Sequence, residues 1–427
     1  MFQAATSDFV RPIVPAFLPK NIMRTPFGYL GLLLLLVVVD SKALWAVEFD
    51  VIVEGGGFSR SHSVASFDCP HSIWDPELDQ GGTVLPVQLG LDGRLHFLVE
   101  SLDAGETRRF RLRNRTKGSK SHKGIWVERK GDAFRFELNG EPLVQYQGGA
   151  GVLPRGEIDP VFRRGGYLHP VWSPSGLIVS DDYPANHLHH HGIWDSWTKT
   201  EFDGRSPNFW ETGDKKGTVE FVSVDHVWSG AVFGGIRSRH RFVDLTLSDP
   251  IVVLNESWEL KVYAINNPSS PYRVFDLGFN QECATDKPLK LPQYRYGGLG
   301  FRGHQDWDGA ANANFLTGLG ESDRIKGHAT RAPWCHIGGR IGDQLSGLAI
   351  FCHPKNFRAP QPMRIHPSEP FFCYAPAQLG EWEIRPGEPY RSQYRFVVFD
   401  GSPKKEVLDL LWLNYSEPIK VSVMKAD

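Results

Sequence analysis

The sequence is poor in cysteine and has no cysteine pair at a metal-binding spacing. Five cysteines are scattered over 427 residues, and no two of them form a C-x-x-C motif. A zinc ribbon is therefore not indicated. In an exported protein the odd count leaves at least one thiol free, and no disulfide framework is evident.

An excess of charge of either sign is also missing. The chain has 47 basic and 49 acidic residues, which gives a formal net charge of −2. This balance argues against a general binder of nucleic acid or other polyanions. After residue 46 no apolar stretch is long enough to span a bilayer. We therefore expect no nucleic-acid partner, and no membrane partner once the N-terminal segment is removed.

The one long apolar run lies near the N-terminus, in MRTPFGYLGLLLLLVVVDSKALWA (23–46). A basic residue precedes an apolar run over 27–39, and small residues follow it. This order is typical of a secretory signal peptide. We predict that residues 1–46 are a signal segment, with Met23 as the true start, and that the mature protein is secreted or periplasmic. An uncleaved anchor is the alternative.

Most of the remaining sequence predicts antiparallel β-structure. Apolar and polar residues alternate in IVVLNESWELKVYAI (251–265) and YRSQYRFVVFDG (390–401), as in half-buried strands. FRFELNGEPLVQY (134–146) predicts a hairpin that turns at Asn139 and Gly140. No crossover helices of a parallel sheet are visible. The expected fold is all-β, a large antiparallel β-sandwich.

Two domains are predicted, divided by RRFRLRNRTKGSKSHK (108–123). Its alternating arginines favour an exposed strand edge followed by a linker over a polyanion patch. Residues 47–120 would form a small N-terminal β domain, and 125–427 the main sandwich. A short C-terminal helix is expected, with Ser402 as its cap and Pro403 at its first position.

The stretch GYLHPVWSPSGLIVSDDYPANHLHHHGIWDSWTKTEFDGRSPNFWE (166–211) is the richest in potential chemistry. Four of the chain's sixteen histidines lie within 187–191. In an extended run, His187, His189 and His191 would project to one side and His190 to the other. A bend at Pro184 or Gly192 would be needed to bring His190 to the same site.

Three roles are open for these imidazoles. Three of them on one side could bind a divalent metal, although no H-E-x-x-H motif is present. Proton transfer is favoured, because histidine is the side chain that titrates near neutrality without perturbation. The third role is structural or is confined to ligand binding.

The same run resembles the bacterial family labelled methane oxygenase PmoA, whose members carry D-H-P-H-H-R-G-L-W after a YP turn. His187, His189 and His190 occupy its histidine positions, whereas Asn186 replaces the aspartate and His191 the arginine. The label implies a metal-dependent oxidoreductase. Further similar blocks are YGGLGFRG (296–303), APWCHIGG (332–339) and HPKNFRAPQPMRIH (353–366), and the resemblance covers about residues 140–400.

A second resemblance points to sugars. NHLHHHG (186–192) is similar to the N-x-L-H-G-G stretch of galactose-mutarotase-like proteins, a class of large β-sandwiches that act on carbohydrates. In that class a histidine protonates the ring oxygen while a carboxylate takes the anomeric proton. This resemblance implies a mutarotase-like supersandwich, with Glu211, Glu282 or Glu381 as the carboxylate.

We therefore predict an exported carbohydrate-active protein, with an enzyme favoured: a sugar epimerase, lyase or hydrolase that uses histidine acid–base chemistry. A non-catalytic binder of oligosaccharides and a metal-dependent oxidoreductase are the alternatives. His353 and His366 flank a proline-rich loop that would wall the same cleft. The predicted catalytic residues are His187, His189, His190 and Glu211, and the predicted substrate-binding residues are Tyr167, His169, Asn186, Trp194, Trp210 and Arg302.

Overall fold

The computed structural model describes residues 47–115, 124–265 and 272–426. The chain in these ranges is built mainly of β-strands, with two short α-helices. The strands are β1 (Phe49–Glu54), β2 (Arg60–Asp68), β3 (Pro76–Gln80), β4 (Thr83–Leu85), β5 (Val87–Leu89), β6 (Arg94–Leu102), β7 (Thr107–Asn114), β8 (Ile125–Lys130), β9 (Ala133–Leu138), β10 (Glu141–Gln147), β11 (Tyr167–Val171), β12 (Ile193–Ser196), β13 (Gly217–Trp228), β14 (Phe233–Asp244), β15 (Ile251–Tyr263), β16 (Arg273–Cys283), β17 (Leu289–Leu291), β18 (Gly298–Arg302), β19 (Ala313–Thr317), β20 (Trp334–Ile341), β21 (Gln344–Cys352), β22 (Met363–Ile365), β23 (Phe371–Tyr374), β24 (Trp382–Ile384), β25 (Tyr390–Asp400) and β26 (Lys420–Lys425). The helices are α1 (Arg324–Gly327) and α2 (Lys405–Ser416), and single 3-10 turns lie at Pro160–Phe162, Thr212–Asp214, Gln305–Trp307 and Pro376–Leu379.

Two antiparallel sheets of eight strands form the body of the molecule. The first large sheet has the order β22-β23-β18-β12-β11-β10-β9-β8, and the second has the order β13-β14-β15-β16-β25-β21-β20-β19. Their inner faces share one apolar core. Tyr146 of β10 packs on Trp258 of β15, and Tyr374 of β23 stacks on Tyr394 of β25 at a centroid distance of 5.5 Å. The predicted antiparallel β-sandwich is confirmed.

The predicted hairpin is confirmed as well. β9 and β10 pair in antiparallel register on either side of Asn139 and Gly140. Their φ angles are +56° and +85°. Positive φ at both central residues is what a two-residue primed turn requires, and it matches the twist of the flanking strands.

The alternation in β15 is also found over residues 254–262, with a departure at each end of this range. Leu254, Trp258 and Leu260 are buried, as the pattern predicts, and Tyr263 is buried next to Val262. Val253 is buried too, because the ladder with β14 skips it between the pairs Phe242–Leu254 and Val243–Val252. Such a bulge shifts the alternation by one residue.

The first seven strands form two small sheets with a core of their own, within one compact unit that spans Trp45–Asp427. The order of the larger of these sheets is β26-β1-β7-β3-β4, so the last strand of the described chain joins the first. β7 is therefore not the exposed edge that its arginines suggested. Those arginines pair with carboxylates of neighbouring strands, as Arg113 does with Glu77. The predicted linker over 116–123 lies outside the described residues.

Helix α2 covers the outer face of the second large sheet. It begins at Lys405, and Lys404 precedes it without a side-chain cap, so the cap predicted at Ser402 is wrong. Leu408 and Leu411 pack against apolar side chains that include Phe399 of β25. Because the other face of β25 lies in the central core, this strand is buried on both sides.

The predicted signal segment, residues 1–46, lies outside the described residues. In the part of the chain that the structure describes, no helix has the length and apolar character needed to cross a membrane. All five cysteines are free thiols, and Cys335, Cys352 and Cys373 are buried.

Candidate active site

The histidine-rich segment lies between β11 and β12 and forms tight turns instead of a strand. The amide of His187 donates to the carbonyl of Pro184 at 3.0 Å, and the amide of His190 donates to that of His187 at 2.8 Å. The extended arrangement considered above is therefore wrong. A turn of this type places residues i and i+3 on the same side, so His187 and His190 lie together.

Four imidazoles pack against each other and form what we call the histidine cluster: His187, His189, His190 and His366. The rings of His187 and His190 stack at a centroid distance of 4.7 Å, and His189 meets His190 edge-on, also at 4.7 Å. His366, which follows β22, approaches His187 at 6.3 Å. The other histidine of its loop, His353, instead packs on Tyr415.

Buried aromatic rings form the floor of the cluster. His190 stacks on Phe371 at 4.7 Å and contacts Trp194 at 5.2 Å. Trp194 is 0% exposed and Trp210 is 1% exposed. The two predicted substrate-binding tryptophans thus support the histidines from below and do not offer an open face to a ligand.

Glu211 lies beside the cluster and forms an ion pair with His189. Its Oε1 is 2.8 Å from Nδ1 of His189, and the two side chains are 38% and 11% exposed. The backbone amide of Glu211 is held by Asn208, which accepts a hydrogen bond from it at 3.1 Å. A carboxylate bonded to Nδ1 fixes the orientation of an imidazole and leaves Nε2 for another partner.

Arg302 is completely buried and organises a group that we call the arginine cluster: Arg302, Asn186, Asp308 and Glu369. Its guanidinium pairs with Asp308 at 2.6 Å and with Glu369 at 2.9 Å, and it donates to Asn186 at 3.2 Å. Asn186 in turn donates to Glu369 at 2.7 Å. Nε of Arg302 has no hydrogen-bond partner among the described residues, so its donors are only partly used within the chain, and its predicted substrate-binding role stays a prediction.

Burial controls the charge of these groups. Burial, together with the neighbouring cations, lowers the pKa of His187, His190 and His366, that of His366 to about 4. Burial and the adjacent Glu369 raise the pKa of Asp308 to about 6. The imidazole rings of His187, His190 and His366 are therefore neutral near neutral pH. In the described part of the chain, Nδ1 of His187 and Nδ1 of His190 have no hydrogen-bond partner.

Tyr167 and His169 belong to a neighbouring group centred on Asp182. Tyr167 donates to Asp182 at 2.9 Å, and Nδ1 of His191 lies 2.7 Å from the same carboxylate. Tyr167 also stacks on His191 at 4.4 Å, while His169 bonds Ser180. The two predicted substrate-binding residues therefore lie beside the histidine cluster and not within it, held by Asp182 and Ser180.

Sequence reasoning missed a buried polar network under β12. Gln281 donates to Asp195 at 2.6 Å and to Glu256 at 2.7 Å. Glu256 is 3.0 Å from His240, whose other nitrogen lies 2.7 Å from the hydroxyl of Tyr146. Burial raises the pKa of Asp195 and raises that of Glu256 to about 7. It lowers the pKa of His240 to about 3. An alternating apolar–polar sequence does not reveal such groups, because its polar residues are expected to face the solvent.

The other carboxylates considered from the sequence lie elsewhere. Glu282 is exposed on β16 and accepts a hydrogen bond from Asn280, and Glu381 lines a cavity beside Trp382. Among the residues that the structure describes, no three or more His, Cys, Asp or Glu side chains are arranged to hold a metal ion. The rings of the histidine cluster stack and meet edge-on instead of directing their nitrogens to one point.

The fold and the site define a mainly antiparallel β-sandwich with a histidine-rich loop between two strands. Residues 133–413 match the model of a Family of unknown function (DUF6807), and the chain belongs to this family. The matched range contains both clusters. No curated protein matches the sequence.

Solved structures with a similar arrangement were found at low similarity. One is a protein in the glycosyl hydrolase family 38 from Enterococcus faecalis, with 9% identity and a TM-score of 0.43 over 88% of this chain. Another is an alpha-mannosidase from Enterococcus faecalis V583, with 9% identity and a TM-score of 0.40 over 88% of this chain. The chain spans about half the length of these structures, 47% and 46% respectively.

Proposed function

We propose that the protein is a carbohydrate-active enzyme that transfers protons with His189 and Glu211. The observation that carries this proposal is the contact of 2.8 Å between Nδ1 of His189 and Oε1 of Glu211, on side chains that are both partly exposed. A carboxylate that holds an imidazole by Nδ1 supports proton transfer at Nε2. Neither group is enclosed, so a ligand can reach the pair.

A second acid–base group belongs to the arginine cluster. The charges of both Glu211 and Glu369 act on the His187 ring, so both carboxylates lie near it. Asp308, beside Glu369, has a pKa of about 6 and is 38% exposed. Epimerisation, elimination and hydrolysis of sugars each need one proton removed and one delivered. Two groups next to the histidine cluster, Glu211 at His189 and Asp308 at Arg302, suit this requirement.

The chemistry of the site favours a polyhydroxylated ligand. It contains neutral imidazoles and carboxylates, and both kinds of group form hydrogen bonds with hydroxyls. The burial of Trp194 and Trp210 favours the enzyme over a non-catalytic binder at this site, because sugar binding by aromatic platforms needs an exposed ring face. The resemblances to PmoA-like and mutarotase-like proteins stay predictions.

The test is a screen of the wild-type protein against a panel of oligosaccharides, with products followed by NMR. We expect His189→Ala and Glu211→Gln each to reduce turnover roughly 100-fold or more, the usual scale for one positioned acid–base group, without a change in Tm. Glu282→Gln, at an exposed carboxylate outside the site, is the matched control and should retain full turnover.

Two outcomes would contradict the proposal. One is turnover that both variants retain. The other is sugar binding by the wild type with no product from any member of the panel, which would support the non-catalytic alternative.

A further inference from the structure

A rigid aromatic surface lies outside both clusters, at β24. Trp382 of this strand is half-buried, and Phe357 is 40% exposed. Their ring centroids are 4.8 Å apart. Trp382 is held from behind by Trp197 at 5.4 Å and by Tyr390 at 5.0 Å. The pair therefore offers a partly open platform whose rings do not need to be ordered by a ligand.

This platform borders a cavity of about 740 Å³, within the range of about 300–1,000 Å³ that is usual for ligand sites. Four basic and three acidic side chains line it, so its net charge is close to zero. Lys290 and Lys355 form no ion pair in the described part of the chain. The charged residues of the lining are Lys290, Lys355, Arg385, Arg391, Glu381, Glu383 and Glu388.

A second cavity shares Lys290 with the first. It has a volume of about 670 Å³ and is lined by this lysine together with Asp203, Arg205 and Lys287. Because the two cavities share a lining residue, we treat them as one groove with an aromatic end and a polar end. A groove of this kind suits an extended chain better than a single small molecule.

A peptide cannot add to β17 as a further strand. Strand β17 pairs with β24 on one edge, and its other edge is closed by Glu201, which exchanges hydrogen bonds of 3.0 and 2.9 Å with Lys290. The edge of β17 thus offers no free backbone groups for strand addition. Side-chain donors and acceptors of both signs, beside an aromatic face, suit the hydroxyls and C–H faces of sugars.

We propose that this groove binds a neutral polysaccharide chain, with Phe357 and Trp382 as its stacking platform. The proposal goes beyond the function assigned to the histidine cluster, because no residue of either cluster lines the groove. It makes the protein a two-site molecule, in which one surface holds a long chain and another acts on sugar.

The experiment is affinity electrophoresis of the whole protein in native gels that contain β-glucan, xylan, galactomannan or polygalacturonate. We expect retardation by at least one of the three neutral polymers. Phe357→Ala and Trp382→Ala should each weaken the affinity by about tenfold, the scale of one aromatic stacking contact, and Trp382→Phe should restore most of it.

The matched control is Trp126→Ala, at a tryptophan that is 62% exposed and lies on β8 outside the groove. Trp126→Ala should leave retardation unchanged. His189→Ala should also leave it unchanged, and this result would separate the present proposal from the function of the histidine cluster. Thermal unfolding checks the fold of every variant.

The proposal is overturned by any of four results. The first two are no retardation in any gel and retardation by polygalacturonate alone. The third is retardation that persists in both Phe357→Ala and Trp382→Ala. The fourth comes from an additional gel that contains denatured casein, and it is retardation that depends on Phe357.

Discussion

Histidines and carboxylates take different protonation states in this protein according to their burial. His240 is completely enclosed beside Glu256, and its pKa is lowered to about 3, while that of Glu256 is raised to about 7. Desolvation disfavours the charged form of both groups, so the shifts have opposite directions. The His189–Glu211 pair differs from this enclosed pair, because both of its side chains are partly exposed.

Glu256→Gln should change how the stability of the protein depends on pH. Because the folded state raises the pKa of Glu256 from 4.5 to about 7, its contribution to stability is present below about pH 4.5 and is lost as the pH rises through 7. The free energy of unfolding of the variant, relative to wild type, should therefore rise by about 3 kcal/mol between pH 5 and 8.

Denaturant unfolding at a series of pH values measures this difference. The substitution also alters the hydrogen bonds with Gln281. This change shifts the free-energy difference by a constant amount and leaves its dependence on pH unchanged. The exposed Glu282→Gln is the control variant, and a free-energy difference for Glu256→Gln that does not change with pH would contradict the prediction.

Sequence reasoning located part of the site, and its limits are physical. Local crowding pointed to the histidine loop, and the structure brings His187, His189 and His190 into one cluster. Glu369 could not be located, since its partner Asn186 is 183 residues away along the chain. The burial of Arg302 could not be predicted either, because its glycine-rich local sequence does not reveal which carboxylates pack against it in the fold.

Among the secondary-structure elements, those defined by local chemistry were predicted well. The hairpin of β9 and β10 follows from two adjacent residues that tolerate positive φ. The burial of both faces of β25 could not be predicted, because it depends on α2, which packs on that strand from a later part of the chain. The start of α2 was misplaced by two residues, since a capping residue in sequence need not adopt the cap geometry.

Gly140→Ala should destabilise the hairpin by about 1 kcal/mol through backbone conformation alone. The φ angle of Gly140 is +85°, and an added methyl group at this position would meet no other atom. Gly151→Ala is the matched control, because it also meets no atom and has no positive φ.

Thermal unfolding of the two variants gives the comparison. We expect a lower Tm for Gly140→Ala than for Gly151→Ala. Equal Tm values for the two variants would show that the turn does not impose the strain described.

In the whole molecule, the sheet of the N-terminal strands is completed by β26. Val421 and Val423 pack against the core of these strands, and Val421 lies opposite Val53 of β1. No local pattern indicates a pairing between strands more than 350 residues apart, so the sequence predicted the N-terminal β unit without its last strand.

Val421→Asp should loosen this unit, because it directs a charge at an apolar core and weakens the pairing with β1. We expect a loss of stability of about 1–3 kcal/mol and faster proteolysis within residues 47–115. Ser422→Asp places the same charge one residue further on, where the side chain is exposed, and should have little effect. Limited proteolysis followed by mass spectrometry distinguishes the two variants, and equal cleavage rates would count against a closing role for β26.

The pairing of β1 with β26 also makes the protein suitable for circular permutation. Phe49 and Lys425 are opposite each other in this ladder, so a short linker can join the two strands covalently. New termini can then be opened at Val152, which is 95% exposed in the loop after β10. In such a permutant the strands of the N-terminal sheet become neighbours in the chain as well as in space, which turns its most distant contact into a local one.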